Sequence, residues 1–263
     1  MILDEIVQHK RVEVAALREQ RPLAAVRADA GAAPAPRDFR RAISDRPDVA
    51  LIAEIKRSSP SAGLIREDFD PALTADCYRA AGAAAMSVLT DERFFAGKLE
   101  YVAQAKAASS VPVLRKDFII DEYQVHEASA AGADAILLIV RILSDRQLGE
   151  YLVLARELGM AALVETHTAD EVGRALRSGA DIIGVNNRDL DTLTIDLATT
   201  EHLARVIPSG RVIVSESGIS SREDVERLAA CGIHAILVGE RLMKSADITD
   251  AARSLTGVSR AAG

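Results

Sequence analysis

Between residues 50 and 238 the chain alternates short β-branched apolar runs with longer amphipathic stretches, the pattern of parallel strands joined by crossover helices. The runs are ALIAEIK at 50–56, MSVL at 86–89, VPVLR at 111–115, DAILL at 134–138, AALVE at 161–165, DIIGV at 181–185, RVIVSE at 211–216 and HAILV at 234–238. Each interval has room for one helix and two loops. Eight such units, with no GxGxxG turn after the first run, predict a closed (βα)8 barrel, the TIM-barrel form of α/β architecture, rather than an open doubly wound sheet. Ala81-Gly82-Ala83, Ala131-Gly132-Ala133, Ser178-Gly179-Ala180 and Cys231-Gly232-Ile233 stand just before the second, fourth, sixth and eighth runs. A helix must end there, and glycine closes it in the left-handed conformation at little cost. An old duplication of a two-unit piece and simple recurrence of helix caps both account for the spacing.

Ahead of the first run, residues 2–19 place Leu3, Ile6, Val7, Val14 and Leu17 on one helical face. A second short helix is expected over 37–44, after the linker GAAPAP at 31–36. The expectation is one barrel domain over 1–263, with residues 1–46 as a helical extension packed on it and no second barrel fused. With 49% hydrophobic residues, the 263-residue chain can bury a full core, and α/β barrels run to roughly 250 residues as one domain.

Lys and Arg total 32 against 39 Asp and Glu, so no general basic field serves nucleic acid or anionic lipid, and a phosphate ligand must be gripped locally. The two cysteines, Cys77 and Cys231, fall in apolar helical patterns and read as buried reduced thiols of a cytoplasmic protein. The amino terminus MILDEIVQHKRVEV is charged throughout, and no apolar run nears the roughly 20 residues of a membrane helix, so neither export nor membrane spanning is expected.

In such a barrel the chemistry occurs at the carboxyl ends of the strands. Those ends carry Glu54 and Lys56, two apart and on one face, then Lys116 beside Arg115, Glu165, Asn186 with Arg188, and Glu216. Any one of them alone reads as a loop charge or structural ion pair. Together they suit a cavity in which lysines and carboxylates shift one another's pKa and exchange protons. Glu216-Ser217-Gly218-Ile219 and Val238-Gly239-Glu240 follow the last two runs, where barrels grip phosphate through backbone N–H groups and helix amino termini. RSSPSAGLI at 57–65 suits a mobile flap, and Phe94 and Phe95 an aromatic pair that seals a loop or touches a flat ligand. Of the histidines, His9, His126 and His202 fall on expected helices, His234 opens a strand at the far end, and only His167 follows an active-face strand. There is no HExxH, cysteine cluster, calcium loop or GxSxG elbow, so no metal site is expected.

EIKRSSPSAG at 54–63, LTDERFFAGK at 89–98, LRKDFIID at 114–121, LLIVRIL at 137–143, ALVETH at 162–167, GVNNRDL at 184–190, SESGI at 215–219 and VGERLM at 238–243 together resemble the indole-3-glycerol phosphate synthase family of tryptophan biosynthesis. The likeness runs from the first helix to the last. It implies a carbon–carbon lyase without cofactor or metal, which converts 1-(2-carboxyphenylamino)-1-deoxyribulose 5-phosphate to indole-3-glycerol phosphate with loss of carbon dioxide and water. By similarity Lys116 is the general acid at the carbonyl, with Lys56 holding the substrate carboxylate or exchanging that role. Glu165 assists dehydration, Asn186 orients the substrate, and Glu54 and Glu216 fix the lysines or the substrate hydroxyls. Ser59, Gly218, Gly239 and Glu240 lie at the phosphate, Ser217 beside them; Pro60, Phe95, Phe118, Leu137 and Leu190 enclose the anthranilate ring; Arg188 buttresses the site. Arg241 departs from the family, which usually has a small residue there. The resemblance also implies a monomer or weak homodimer in the cytoplasm, open to association with other tryptophan-pathway enzymes.

Two other readings compete. A strand-end lysine can form a Schiff base in a class I sugar-phosphate aldolase. A silent barrel could bind a phosphorylated metabolite, although phosphate binding alone requires none of Lys56, Lys116 and Glu165.

Overall fold

A computed structural model describes residues 2–189 and 192–260. Eight parallel strands close into a barrel: β1 (Ala50–Ile55), β2 (Ala85–Leu89), β3 (Val113–Lys116), β4 (Ala135–Ile139), β5 (Ala161–Thr166), β6 (Ile182–Asn186), β7 (Val212–Glu216) and β8 (Ala235–Val238), each paired with its chain neighbours and β8 with β1. The helices are α1 (Ile2–Gln20), α2 (Leu23–Ala32), α3 (Phe39–Ser44), α4 (Pro71–Ala80), α5 (Glu92–Phe95), α6 (Glu100–Ala108), α7 (Glu122–Ala130), α8 (Asp145–Glu157), α9 (Ala169–Arg177), α10 (Ala198–Ala204), α11 (Arg222–Ala229), α12 (Glu240–Met243) and α13 (Ile248–Arg253). Many start on the residue types that cap orphan N–H groups: Asp70 accepts from Leu73, Thr168 from Glu171, and Ser144 and Ser221 form reciprocal capping boxes.

Strand parity divides the interior. Ile52, Leu114, Leu137, Leu163, Ile182, Val214 and Leu237 fill the lumen, while Leu51, Val113, Ile136, Val164 and Ile213 face the helices. Gly82, Gly132, Gly179 and Gly232 all take positive φ as expected, but so do Gly159 before β5 and Gly210 before β7. The caps therefore do not mark alternate strands alone, and recurrence of helix ends accounts for them without a duplication.

The extension spans both ends of the barrel. Ile2, Leu3 and Ile6 of α1 reach the cavity at the carboxyl ends of the strands. At the other end Phe39 and Ile43 of α3 join the lumen core, and Arg37 donates to the carbonyls of Ser109 and Val111 at 2.7 and 2.8 Å. Between them α2 packs against α7 through Val26 and Tyr123.

Several expectations are corrected. Helix α2 was not foreseen, and it occupies the first part of the supposed linker; α3 begins at Phe39, where Asp38 caps it, rather than at 37. β3 starts and ends later than read, because Pro112 has no N–H to give the ladder, and Lys116 is thereby inside the strand. His234 precedes β8. Within the 57–65 segment, read as a flap, Ser58–Ser59 pairs antiparallel with Gly63–Leu64, and Ser59, Pro60 and Ser61 line the cavity. Both cysteines are free but only partly buried, and Cys231 lies beyond the end of α11. Among the described residues, no helix is long and apolar enough to cross a membrane.

Candidate active site

In a (βα)8 barrel the lumen is packed in layers, four side chains from alternate strands, usually Val, Ile or Leu. The parity that points Ile52, Leu114, Leu163 and Val214 inward also points inward the residues two positions on: Glu54, Lys116, Glu165 and Glu216, one from each odd strand. Lys116 Nζ stands 3.5 Å from Glu216, 3.6 Å from Glu165 and 3.9 Å from Glu54. Lys56, just past β1, bonds Glu54 at 2.8 Å. The last layer of the lumen is thus a charge cluster.

Glycines make room for it. A Cβ at Gly184, the inward position on β6, would collide with the Glu216 carboxylate, and one at Gly239 with that of Glu54. Glycine inside a strand signals such close approach. For Lys116, burial alone would favour the neutral amine, but Glu216, Glu165 and Glu54 outweigh it and hold the ammonium above the usual lysine range. Burial pushes Glu216 up to about 8, with Glu165 and Glu54 adding to the rise against Lys116. Glu54 shifts the other way, since Lys56 and Lys116 overcome its burial.

A cavity of about 700 Å³ opens above this layer. All six expected catalytic residues line it, as do Ser59, Pro60, Phe95, Phe118, Leu137, Arg188, Ser217, Gly218, Gly239 and Glu240. Leu190 lies outside the described residues. Asn186 is half-buried at the wall, and its side-chain Oδ1 accepts from Arg188 N at 3.0 Å. The ring of Phe95 lies 6.0 Å from that of Phe118, whereas Phe94 meets His9 of α1 edge-on at 5.9 Å, so the aromatic pair divides between cavity and helix. At the other wall Ser217 and Gly218 both take positive φ, and α12 starts directly after Gly239 with no side-chain cap. Its first N–H groups, like those of any helix, have no intrahelical acceptor. The Glu240 carboxylate is engaged by Lys244 at 2.6 Å, and Arg241 is exposed at the mouth.

Residues missed in the sequence hold this wall in place. Asn187 is buried and donates to Ser215 Oγ, Glu216 O and Ser217 O at 3.0, 3.0 and 3.1 Å, while Thr200 N donates to it at 3.1 Å. Lys10 of α1, fully buried, reaches Asp91, Asp117 and Glu13 at 3.0, 3.0 and 2.9 Å. Asp91 also caps α5, which carries Phe95, and Asp117 accepts from Phe118 N at 2.8 Å. A signal was present: Lys10 interrupts the apolar stripe of Leu3, Val7, Val14 and Leu17 at a position that faces the core.

Residues 3–255 match the family model described as indole-3-glycerol phosphate synthase. The chain belongs to the indole-3-glycerol phosphate synthase family. An indole-3-glycerol phosphate synthase of Roseiflexus castenholzii is 50% identical, with 97% of this chain and 98% of the relative covered. One of Albidiferax ferrireducens is 49% identical over 94% of each chain. Among solved structures, 3-hexulose-6-phosphate synthase of Salmonella typhimurium superposes with a TM-score of 0.63 at 16% identity, covering 79% of this chain and 96% of that one. That likeness shows the barrel alone.

Proposed function

We propose that the charged last layer of the lumen closes an indole ring, with Lys116 as the acid. The chain is an indole-3-glycerol phosphate synthase, and the substrate is 1-(2-carboxyphenylamino)-1-deoxyribulose 5-phosphate. The observation that carries the assignment is the position of Lys116, an ammonium held among three glutamates within 4 Å at the floor of the cavity.

In the first step the ring carbon bearing the carboxylate attacks the ribulose carbonyl, and Lys116 gives its proton to the oxygen as alkoxide charge develops. Carbon dioxide then leaves, its bonding pair restoring the aromatic ring. Lys56, at the rim and paired with Glu54, holds the carboxylate until that point. The ring nitrogen next expels the hydroxyl as water, Glu165 taking a proton from the adjacent methylene and returning it to the departing oxygen. Asn186 orients the substrate, Glu54 and Glu216 fix the lysines, and Arg188 buttresses the wall. Phe95, Phe118, Leu137 and Pro60 enclose the anthranilate ring. Ser59 and the N–H groups of Gly218, Gly239 and Glu240 hold the phosphate beside Ser217, with the α12 amino terminus favouring its charge. The protein works as a single barrel domain in the cytoplasm, with residues 2–46 covering one end of the barrel and plugging the other.

An aldolase would need Lys116 as a free amine to form a Schiff base, and its three glutamate neighbours oppose that. The test uses composition: the chain has no tryptophan, so an indole product emits over little background. Enzyme and substrate, mixed without metal, give a catalytic rise in indole fluorescence; no rise from folded protein overturns the reading.

A further inference from the structure

The ring closure consumes a proton. The carbonyl oxygen departs as water and takes two; the methylene returns one through Glu165, and loss of the carboxylate as carbon dioxide returns none. Each turnover therefore leaves the Lys116–Glu165 cluster one proton short, while bound substrate fills the cavity that connects it to solvent.

Behind Glu165, outside the cavity wall, lies a histidine with no part in the scheme above. His167 follows β5, two residues after Glu165, and its side chain is only 7% exposed. Its Nε2 is 3.6 Å from Glu165 Oε1, and its Nδ1 is 3.3 Å from Glu171 Oε2. Neither ring nitrogen has a hydrogen-bond partner of ordinary geometry, although both are shielded from water. Buried polar atoms without partners are rare enough to require a reason. Glu171, on α9, fixes the segment by accepting from His167 N at 2.6 Å, and its side chain is 14% exposed. The charged groups facing the imidazole are Glu165 from its own strand, Glu171 from α9 and Glu216 from β7; Arg141 acts on Glu171 from the loop after β4.

We propose that His167 is a positioning residue that acts through Glu165, passing one solvent proton per turnover from Glu171 to the catalytic cluster. The inference rests on the ring-closure roles of Lys116 and Glu165. A small rotation of the imidazole brings either nitrogen within hydrogen-bond reach of its carboxylate, so the ring can receive a proton at Nδ1 and release one at Nε2. Burial alone would disfavour the imidazolium, but Glu171, Glu165 and Glu216 more than compensate and raise its pKa above the usual histidine value. The ring can therefore carry a proton near neutral pH.

The first turnover can run on the proton already stored on Lys116; at saturating substrate, where the cavity refills as soon as product leaves, later ones draw on the path behind Glu165. In His167→Asn the first turnover, followed by stopped-flow indole emission, should stay within about twofold of wild type, and kcat should fall about tenfold with kcat/KM nearly unchanged. That leaves a burst absent from the wild type, and added imidazole buffer should raise the depressed kcat. A kcat within about twofold of wild type overturns the proposal, as does an equal fall in kcat and kcat/KM with a slowed first turnover, the result of a merely structural role. Should His167→Asn fail to fold, Glu171→Gln at the partly exposed end carries the same test: a lower kcat with kcat/KM retained supports the path, and an unchanged kcat overturns it. Absence of indole emission from the wild type would instead remove the ring-closure reading beneath both.

Discussion

Replacing Lys10 with methionine removes a cation from among three carboxylates and leaves an apolar side chain of similar length. Glu13 is 28% exposed and can turn to water, whereas the side chains of Asp91 and Asp117 are 0% and 1% exposed and cannot. Arg115 still holds Asp117 at 3.0 Å, so the loss falls on Asp91, whose Oδ2 makes no ordinary hydrogen bond. One uncompensated buried carboxylate costs about 3–5 kcal/mol. At about 2–4 °C per kcal/mol for chains near this size, Tm drops by about 6–20 °C. In the wild type, burial of Asp117 is overcome by Arg115 and Lys10, which hold its carboxyl below the usual range, while Lys10 is held above its own. The depressed carboxylate contributes stability that is present above its unfolded pKa and lost only in strong acid. The raised lysine's contribution is lost only as pH rises above the usual lysine value, so the pin is intact from about pH 4 to pH 10. The variant's native state alone gains a carboxyl that can take up a proton as pH falls, and the gap between the two proteins narrows by up to about 1.4 kcal/mol per pH unit while it does so. Thermal melts followed by circular dichroism at pH 7 and pH 5 measure both effects. A Tm within about 2 °C of wild type at pH 7 refutes the reasoning, and a gap unchanged between the two pH values refutes its electrostatic origin. Because Asp91 and Asp117 set the segments of Phe95 and Phe118, KM should rise as well.

Lys116→Met should lower turnover by about 10²–10⁴-fold, and near-normal steady-state rates would remove it as the acid. Gly184→Ala places a methyl against the Glu216 carboxylate and Leu163; it should cost about 1–3 kcal/mol and depress kcat, and a variant with wild-type melting and kcat would disprove the crowding. Between about pH 4.5 and 8 folded Glu216 keeps a proton that the unfolded chain releases, so this group makes stability fall as pH rises through that window. Glu216→Gln escapes that loss; its Tm relative to wild type should climb between pH 6 and pH 9, and a constant difference would contradict the raised pKa.

The barrel was legible because its signal is local: each unit states its own strand, helix and glycine stop. The cluster was legible for the same reason, since strand parity places Glu54, Lys116, Glu165 and Glu216 on the lumen side without knowledge of the rest of the chain. What escaped depends on partners distant in sequence or on weak patterns. Helix α2 buries only Val26 and Ala30 and shows little amphipathic contrast. Lys10 gains its meaning from Asp91 and Asp117, residues of two other units, and Asn187 from Ser215 and Thr200. Gly184 reads as a weak point in a strand until the Glu216 carboxylate is seen to occupy the space its side chain would fill.

The layer of four also assigns unequal tasks to the two halves of the chain. Residues up to the end of β4 contribute Glu54 and Lys116, a pair of opposite sign, together with Lys56. Residues from β5 onward contribute Glu165 and Glu216, two acids with His167 beside Glu165 but no lysine between them. A fragment ending after β4 has an ion pair to bury, whereas one beginning at β5 must bury two acids without a lysine in what should be its driest region. Two copies of the second half cannot mate as a homodimer without four acids meeting at the seam, while the first half brings the lysine that pairs with both. Complementation between unlike fragments is thereby favoured over self-pairing, and the charges that perform the chemistry also determine which half recognises which.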